Sequence, residues 1–297
     1  MSNSFPANAQ VVIIGGGIMG CSVAYHLTKL GWKDVVLLER KSLTCGTTWH
    51  AAGLVAQLRA THNMTLLAKY TAELYRGLEE ETGQATGFRQ AGSLTVASTA
   101  ERFEELKRSA SMGRCFDVDV NVLTPEEAKK MWPLVNIEDI VGAIHIPKDG
   151  MCNPIDTTTA PAKGAKMGGA SIFEDFSFDT LPEDWDHFEP VMEKAIHRLP
   201  ALAEAGIQLF FCGPESFTPD DRYLLGEAPE LKNFFVAAGF NSVGIQSGGG
   251  VGKVLASWIV DGAPPRRWIC EMWIYGAWHR FRATAGTCTT GSSRPTI

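Results

Sequence analysis

The sequence predicts an α/β protein. Three observations carry that prediction: a strand, glycine turn, helix and second strand follow one another over residues 11 to 39; amphipathic helices alternate with short apolar strands beyond them; and a second strand leads through a glycine-rich stretch into a helix between residues 234 and 260. Val11 to Ile14 is a short unbroken apolar run, the pattern of a parallel strand buried on both faces. Ile18, Cys21, Ala24 and Leu27 then recur at helical spacing up to Gly31, a suitable left-handed stop just past a helix end. Val35 to Leu38 is the second strand, which completes one βαβ unit.

Met64, Leu67, Thr71, Leu74 and Leu78 keep a helical period, with Lys69, Glu73, Arg76 and Glu79 left for the wet face. Ser93 to Ala97 and Ala143 to Ile146 read as strands. Between them Thr124, Pro125 and Glu127 form a capping-box start for a helix that ends before Pro133. Asn153 and Pro154 repeat the cap-and-proline start. Near Glu174 the strand-like Ser171 to Phe173 runs almost directly into a helical segment around Val191 to His197. After Pro265 the composition changes: residues 266–297 hold five Arg, one Glu and three Trp, net +4, so the preceding residues carry −10. The expected organisation is therefore an N-terminal part at 8–174, a C-terminal part of the same domain at 175–265, and a separate tail at 266–297.

Composition excludes several classes. The 297 residues are 45% hydrophobic and 20% charged, enough to bury a sizeable core. A net charge of −6 excludes a nucleic-acid grip, which rests on Lys and Arg replacing counterions. No run approaches the roughly 20 apolar residues needed to cross a bilayer, so no membrane partner is expected. Seven scattered cysteines with no Cys-x-x-Cys pair fit reduced thiols rather than disulfides or zinc. With no Lys or Arg in the first ten residues, the expected location is cytoplasmic. His26 and His197 in helices and His145 in a strand read as packing or surface residues, and Asp184, Asp186 and Glu189 as a solvated face.

The strongest local signal is Gly15, Gly17 and Gly20 between strand and helix. Gly15 permits the tight turn, Gly17 leaves room for a pyrophosphate, and Gly20 lets helix and strand approach. Phosphates would sit at the helix N-terminus, at Ile18 and Met19, where unpaired N–H groups and the dipole favour negative charge. Glu39, 19 residues after Gly20, can accept hydrogen bonds from ribose hydroxyls. The alternative is a glycine-rich turn without a ligand. The fingerprint does not separate FAD from NAD. The next run is Gly46, Thr47, Thr48, Trp49, His50, Ala51, Ala52, Gly53 and Leu54. Its small residues let a backbone approach a cofactor, and its hydroxyls can reach phosphate or ribitol. On chemistry alone His50 is structural or functional with equal weight.

The fingerprint with Glu39 and Arg40, followed by this run at 46–54, resembles the dimethylglycine and sarcosine dehydrogenase family, within the D-amino-acid-oxidase-like flavoproteins. The resemblance extends to about Glu174 and resumes from about Phe176 to Pro265, through the Gly213 to Asp220 and Ala238 to Gly252 runs. It implies a Rossmann-like FAD-binding domain and a covalent bond from His50 to the flavin 8α-methyl. It also implies hydride transfer from a small secondary or tertiary amine to the flavin, with oxygen or an electron-transfer flavoprotein as acceptor. In the second run, Gly239, Asn241, Gly244 and Ile245 follow an apolar strand at Phe234 to Ala237 and precede a helix near Val254 to Val260. There the backbone N–H groups of a glycine-rich turn can face the pyrimidine end of a flavin. A flexible glycine hinge is the alternative. A P-loop fails, because Ser247 stands at its first glycine and Val254 at its Ser/Thr.

The chain departs from the family in two places. A domain-sized stretch is missing where Glu174 meets Asp175 and Phe176, so the substrate-binding sheet is expected to be largely missing, and the tail matches none of the family's later domains. Two functions follow: an FAD-dependent amine dehydrogenase marked by His50-linked flavin, or a catalytically inactive FAD-fold fragment or regulatory relative.

Overall fold

The computed structural model describes residues 6, 8–174, 183–207, 210, 215–218, 221, 223–229 and 231–265. The tail at 266–297 and residues 213, 214, 219 and 220 of the 213–220 run lie outside the described residues. The chain opens as read: β1 (Val11–Ile14), α1 (Ile18–Lys29) and β2 (Val35–Glu39), with Gly31 at φ +92° just beyond the helix. β3 (Leu54–Val55) and α2 (His62–Thr82) follow, then β4 (Ser93–Ala97), α3 (Ala100–Cys115), β5 (Asn121–Leu123), α4 (Pro125–Met131) and β6 (Gly142–Ile146). Next come β7 (Gly150–Met151), α5 (Pro154–Met167), β8 (Ser171–Glu174), α6 (Trp185–Arg198), β9 (Leu224–Glu227), β10 (Phe235–Ala238) and α7 (Gly244–Asp261). The capping box at Thr124 is present in full, and Asn153 accepts hydrogen bonds from the N–H groups of Ile155 and Asp156.

The central sheet is parallel, in the order β1-β2-β8, with Ile13 beside Leu37 and Leu37 beside Ile172. Residues of one face, Val11, Ile13, Val35, Leu37 and Ile172, enter the main core with α1, α2, α5 and α7. The other face corrects the sequence reading of β1, because Val12 is 53% and Ile14 82% exposed. An apolar run predicts burial on both faces only if a layer covers each; on this face Val36, the register partner of Val12, is buried, so the cover stops short of β1, which among the described residues is the last strand of its sheet. The smaller sheets are antiparallel: β4-β6-β5, packed on α3 around Ala97, Leu106, Ala110 and Ile144, and the pairs β3-β7 and β9-β10.

A second correction concerns the glycines at 248–252. The helix there begins at Gly244, well ahead of the expected Val254, so Gly248 to Gly250 and Gly252 lie inside it. They serve packing: a Cβ on Gly248 would fall 2.5 Å from Ile18 Cγ1, and one on Gly252 2.1 Å from Ser22 Oγ. The small-residue face brings α7 directly onto α1, which excludes the hinge reading for these residues. In α6, Asp184 is the N-cap, accepting from His187 N–H, rather than simply part of a solvated face. No helix among the described residues is long and apolar enough to cross a membrane.

Candidate functional site

The site is the place where three chain segments meet at the N-termini of α1 and α7. Gly15 adopts φ +109°, which favours glycine, and a Cβ there would meet nothing within 4 Å, so the turn is open outward. Gly20 has the packing role expected of it, since its Cβ would fall 1.9 Å from the Gly15 carbonyl oxygen. The Glu39 carboxylate closes the other side of the turn, accepting from Gly16 N–H at 2.7 Å and Lys41 N–H at 2.9 Å. Glu174, its register partner on β8, accepts from Leu43 N–H at 2.8 Å. Arg40 is exposed at the rim.

The 46–54 run folds over this turn. Thr48 is buried, and its Oγ1 accepts from Ile18 N–H at 3.2 Å, so it caps a helix whose own N-cap, Gly17, has no side chain. Gly46 and Thr47 are exposed. His50 lies in the same loop, with Nδ1 3.0 Å from the Gly46 carbonyl oxygen and its ring 4.1 Å from the Trp49 ring. Gly53 is structural: at φ +73°, a Cβ would lie 2.0 Å from the Cys152 carbonyl oxygen, where the chain passes into the β3-β7 pair. Leu54 points outward at 65% exposure.

The second backbone cradle adjoins the first. A Cβ on Gly244 would lie 3.7 Å from Met19 Cε, and Tyr75 donates its hydroxyl hydrogen to the Ile245 carbonyl at 2.7 Å. Gly239 and Asn241 support the cradle from behind. Gly239 (φ +68°) packs on Thr218, and the Asn241 side chain accepts from Thr218 N–H at 2.7 Å while donating to its hydroxyl. Neither α1 nor α7 has an acidic residue in its first turn; at the α1 end Ile18 N–H already donates to Thr48 and Gly16 N–H to Glu39, whereas α7 has no side-chain cap and its positive end is available to an anion.

Other contributors give no local sequence signal, because their partners lie far along the chain. Gln246 accepts from Ala56 N–H at 3.3 Å, tying α7 to β3. Asp149, buried, accepts from Gln57 N–H at 2.8 Å and from the Ser93 hydroxyl at 2.6 Å; burial raises its carboxyl above the ordinary range. The fit to a dinucleotide is visible in two orphaned groups. Ser42 and Thr44 lie in the loop that crosses the glycine turn, where Thr44 N–H reaches the Gly16 carbonyl at 3.0 Å, and both hydroxyls are buried without a hydrogen-bond partner. Buried hydroxyls are ordinarily satisfied, so a polar ligand at the turn would complete the loop. No cluster of metal-ligating side chains occurs among the described residues.

Fold and glycine turn together are those of the FAD-dependent oxidoreductase class of domain. The chain belongs to the DAO family, FAD dependent oxidoreductases, whose pattern matches residues 10–177 and 175–258. Human mitochondrial sarcosine dehydrogenase is 34% identical over 376 aligned positions, covering 89% of this chain and 41% of its own length. The mouse mitochondrial pyruvate dehydrogenase phosphatase regulatory subunit is 30% identical, covering 93% of this chain and 44% of its own length. The resemblance to sarcosine and dimethylglycine dehydrogenases read from the 46–54 run therefore holds. The crystal structure of L-proline dehydrogenase from P. horikoshii shares the fold, with a TM-score of 0.84 at 22% identity, covering 94% of this chain and 99% of that one. The chain spans less than half the length of the two curated relatives. The 376 aligned positions far exceed 89% of 297 residues, so a domain-sized stretch of the human enzyme has no counterpart here; the family match breaks and resumes at residues 175–177.

Proposed function

We propose that this chain holds FAD between the α1 and α7 N-termini and is the cofactor-bearing part of an amine dehydrogenase acting on a small N-methyl amine. The observation that carries the reading is the meeting of the two cradles, with Met19 against Gly244 and Thr48 closing the α1 end. Gly15, Gly17, Ile18 and Met19 would receive the pyrophosphate, with Ile18 N–H exchanging the Thr48 hydroxyl for a phosphate oxygen, Glu39 the adenosine ribose, and Gly244 and Ile245 the pyrimidine edge. When bound, the flavin supplies hydride acceptance, and the protein supplies orientation and electrostatics.

The covalent link through His50 belongs to the same proposal. A carbonyl oxygen only accepts, so the Gly46 carbonyl holds the proton on His50 Nδ1, which makes Nε2 the nitrogen that carries the lone pair and the one the linkage would use. The test is direct: precipitate the purified chain with acid and look for flavin colour. Yellow in the pellet is expected for the native chain, and a colourless pellet for His50→Ala. Colour in neither pellet nor supernatant of the native chain refutes FAD retention, and a yellow His50→Ala pellet refutes the linkage.

A second reading is a regulatory or catalytically empty relative, favoured by the missing domain-sized stretch and the likeness to a regulatory subunit. Anaerobic addition of sarcosine or dimethylglycine separates the two: bleaching of bound flavin marks the dehydrogenase, and unchanged colour the empty platform. The electron acceptor in the first reading is oxygen or an electron-transfer flavoprotein, distinguished by whether air restores the colour. Free thiols at Cys21, Cys45, Cys115 and Cys152 support a reducing compartment, the cytoplasm or the mitochondrial matrix, which cell fractionation resolves.

A further inference from the structure

The helix α6 presents an apolar stripe that the described fold covers only in part: the Phe210 ring packs on Trp185 and Phe188 at 4.2 and 4.9 Å, and the stripe otherwise faces an open groove. Trp185, Phe188, Met192 and Ile196 lie three or four residues apart or a multiple of that, hence on one side of the helix, and no residue of α6 is buried. With Ile207 they form the floor of an open groove of about 470 Å³. Its remaining lining is Asp186, Glu189 and Glu193, so the groove carries three acidic side chains and no basic one. The helix is held in place from its far end. Arg198 makes a two-pronged contact with Asp139 at 2.8 and 3.0 Å, and its carbonyl accepts from Asn136 N–H at 2.9 Å. An apolar floor with an acidic rim calls for an aromatic, basic segment.

The chain contains such a segment. Residues 266–282 include Arg266, Arg267, Arg280 and Arg282, three tryptophans at 268, 273 and 278, and a single acidic residue, Glu271. The tail as a whole is net +4 against −10 for the remainder. At roughly 3.3 Å per residue, Trp273 can lie up to about 26 Å and Trp278 up to about 43 Å from Pro265, the scale of a domain of this length. We propose that the aromatic-basic tail segment of the same chain docks into the α6 groove, its tryptophans on the Trp185–Ile196 stripe and its arginines against Asp186, Glu189 and Glu193. Tryptophan suits this task because it brings a large apolar surface, and arginine because it stays charged while stacking on rings such as Trp185 and Phe188.

The test uses the full chain with the photo-crosslinking residue p-benzoylphenylalanine placed at position 273. After irradiation, the expected product is monomer-sized, and the crosslinked peptide maps to residues 185–198. The Glu189→Lys, Glu193→Lys double variant is expected to lower the yield at least threefold, whereas Glu126→Lys on exposed α4 leaves it unchanged. Should the double variant not fold, the unmodified rim gives the same information: raising salt from about 0.05 M to about 0.5 M shortens screening to a few ångströms and should cut the yield several-fold. A dimer-sized product, which would seat the tail on a second copy, overturns the proposal. So do crosslinks mapping elsewhere, and a yield indifferent to both rim charge and salt.

Discussion

A methyl group added at Gly252 tests the packing on which the two-cradle site depends. An ideal Cβ there lies 2.1 Å from Ser22 Oγ and 2.6 Å from both Ser22 Cβ and the Ser22 carbonyl carbon. The hydroxyl can rotate away, but the carbonyl carbon belongs to the α1 backbone and cannot. α1 and α7 must therefore separate by about 1 Å, the difference between 2.6 Å and ordinary carbon–carbon contact. Overpacking of this kind costs about 1–3 kcal/mol, against a gain of about 1 kcal/mol from replacing glycine with alanine inside a helix. Gly77, on the exposed side of α2, is the internal control, because a Cβ there meets nothing within 4 Å and only the helix gain applies. Gly77→Ala should stabilise by about 0.5–1 kcal/mol and Gly252→Ala should destabilise by up to about 2 kcal/mol. With a urea dependence of about 1–3 kcal/mol per molar, the two midpoints should differ by roughly 1 M. Gly252→Ala should also lose flavin more readily, since Met19 and Gly244 would no longer be held together. Equal stabilisation by both substitutions would show that α7 does not lie this close to α1, and the site built on that contact would fall with it.

Two further perturbations test the supporting network. His26 is buried between Ser22 and Tyr70, with Nδ1 2.7 Å from the Ser22 carbonyl and Nε2 2.9 Å from the Tyr70 hydroxyl, and burial pushes it down to about 4. The unfolded chain takes up this proton near pH 6.5 and the folded one near pH 4, so the stability present above pH 6.5 declines as pH falls toward 4, by up to about 3 kcal/mol. Urea titrations at several pH values should show that slope in the native chain and a flatter one in His26→Gln; identical slopes would remove His26 as its source. Asp149→Ala should cost about 2–4 kcal/mol, because Gln57 N–H and the Ser93 hydroxyl lose their acceptor inside the protein. Asp149→Asn should cost less, and a neutral Asp149→Ala in the same titration would contradict the burial of that network.

Local patterns in the sequence were legible wherever partners lie close along the chain. The Thr124 capping box, the Asn153 cap and the Gly15–Gly20 turn each depend on neighbours within a few residues. Glu39 was legible as a carboxylate at the end of β2, but not as the acceptor for Gly16 N–H, a contact 23 residues away. The exposure of Val12 and Ile14 was invisible because an apolar run looks the same whether or not a neighbouring layer exists. Gly248 to Gly252 misled for a related reason: glycines that open a turn and glycines that admit a neighbouring helix have the same composition, and only the partner, Ser22 or Ile18, tells them apart. Asp149 joins segments 56 and 92 residues distant, beyond the reach of any spacing rule.

β1 ends the parallel sheet with two bare aliphatic side chains and, among the described residues, a single strand neighbour. Such a margin is a template for β-pairing between molecules, because main-chain donors and acceptors stand in a row beside an oily strip. Handling the purified protein at high concentration therefore favours self-association through Val12 and Ile14. A lysine at position 12, the device natural sheets use along open margins, would keep the molecules apart without touching the glycine turn that follows.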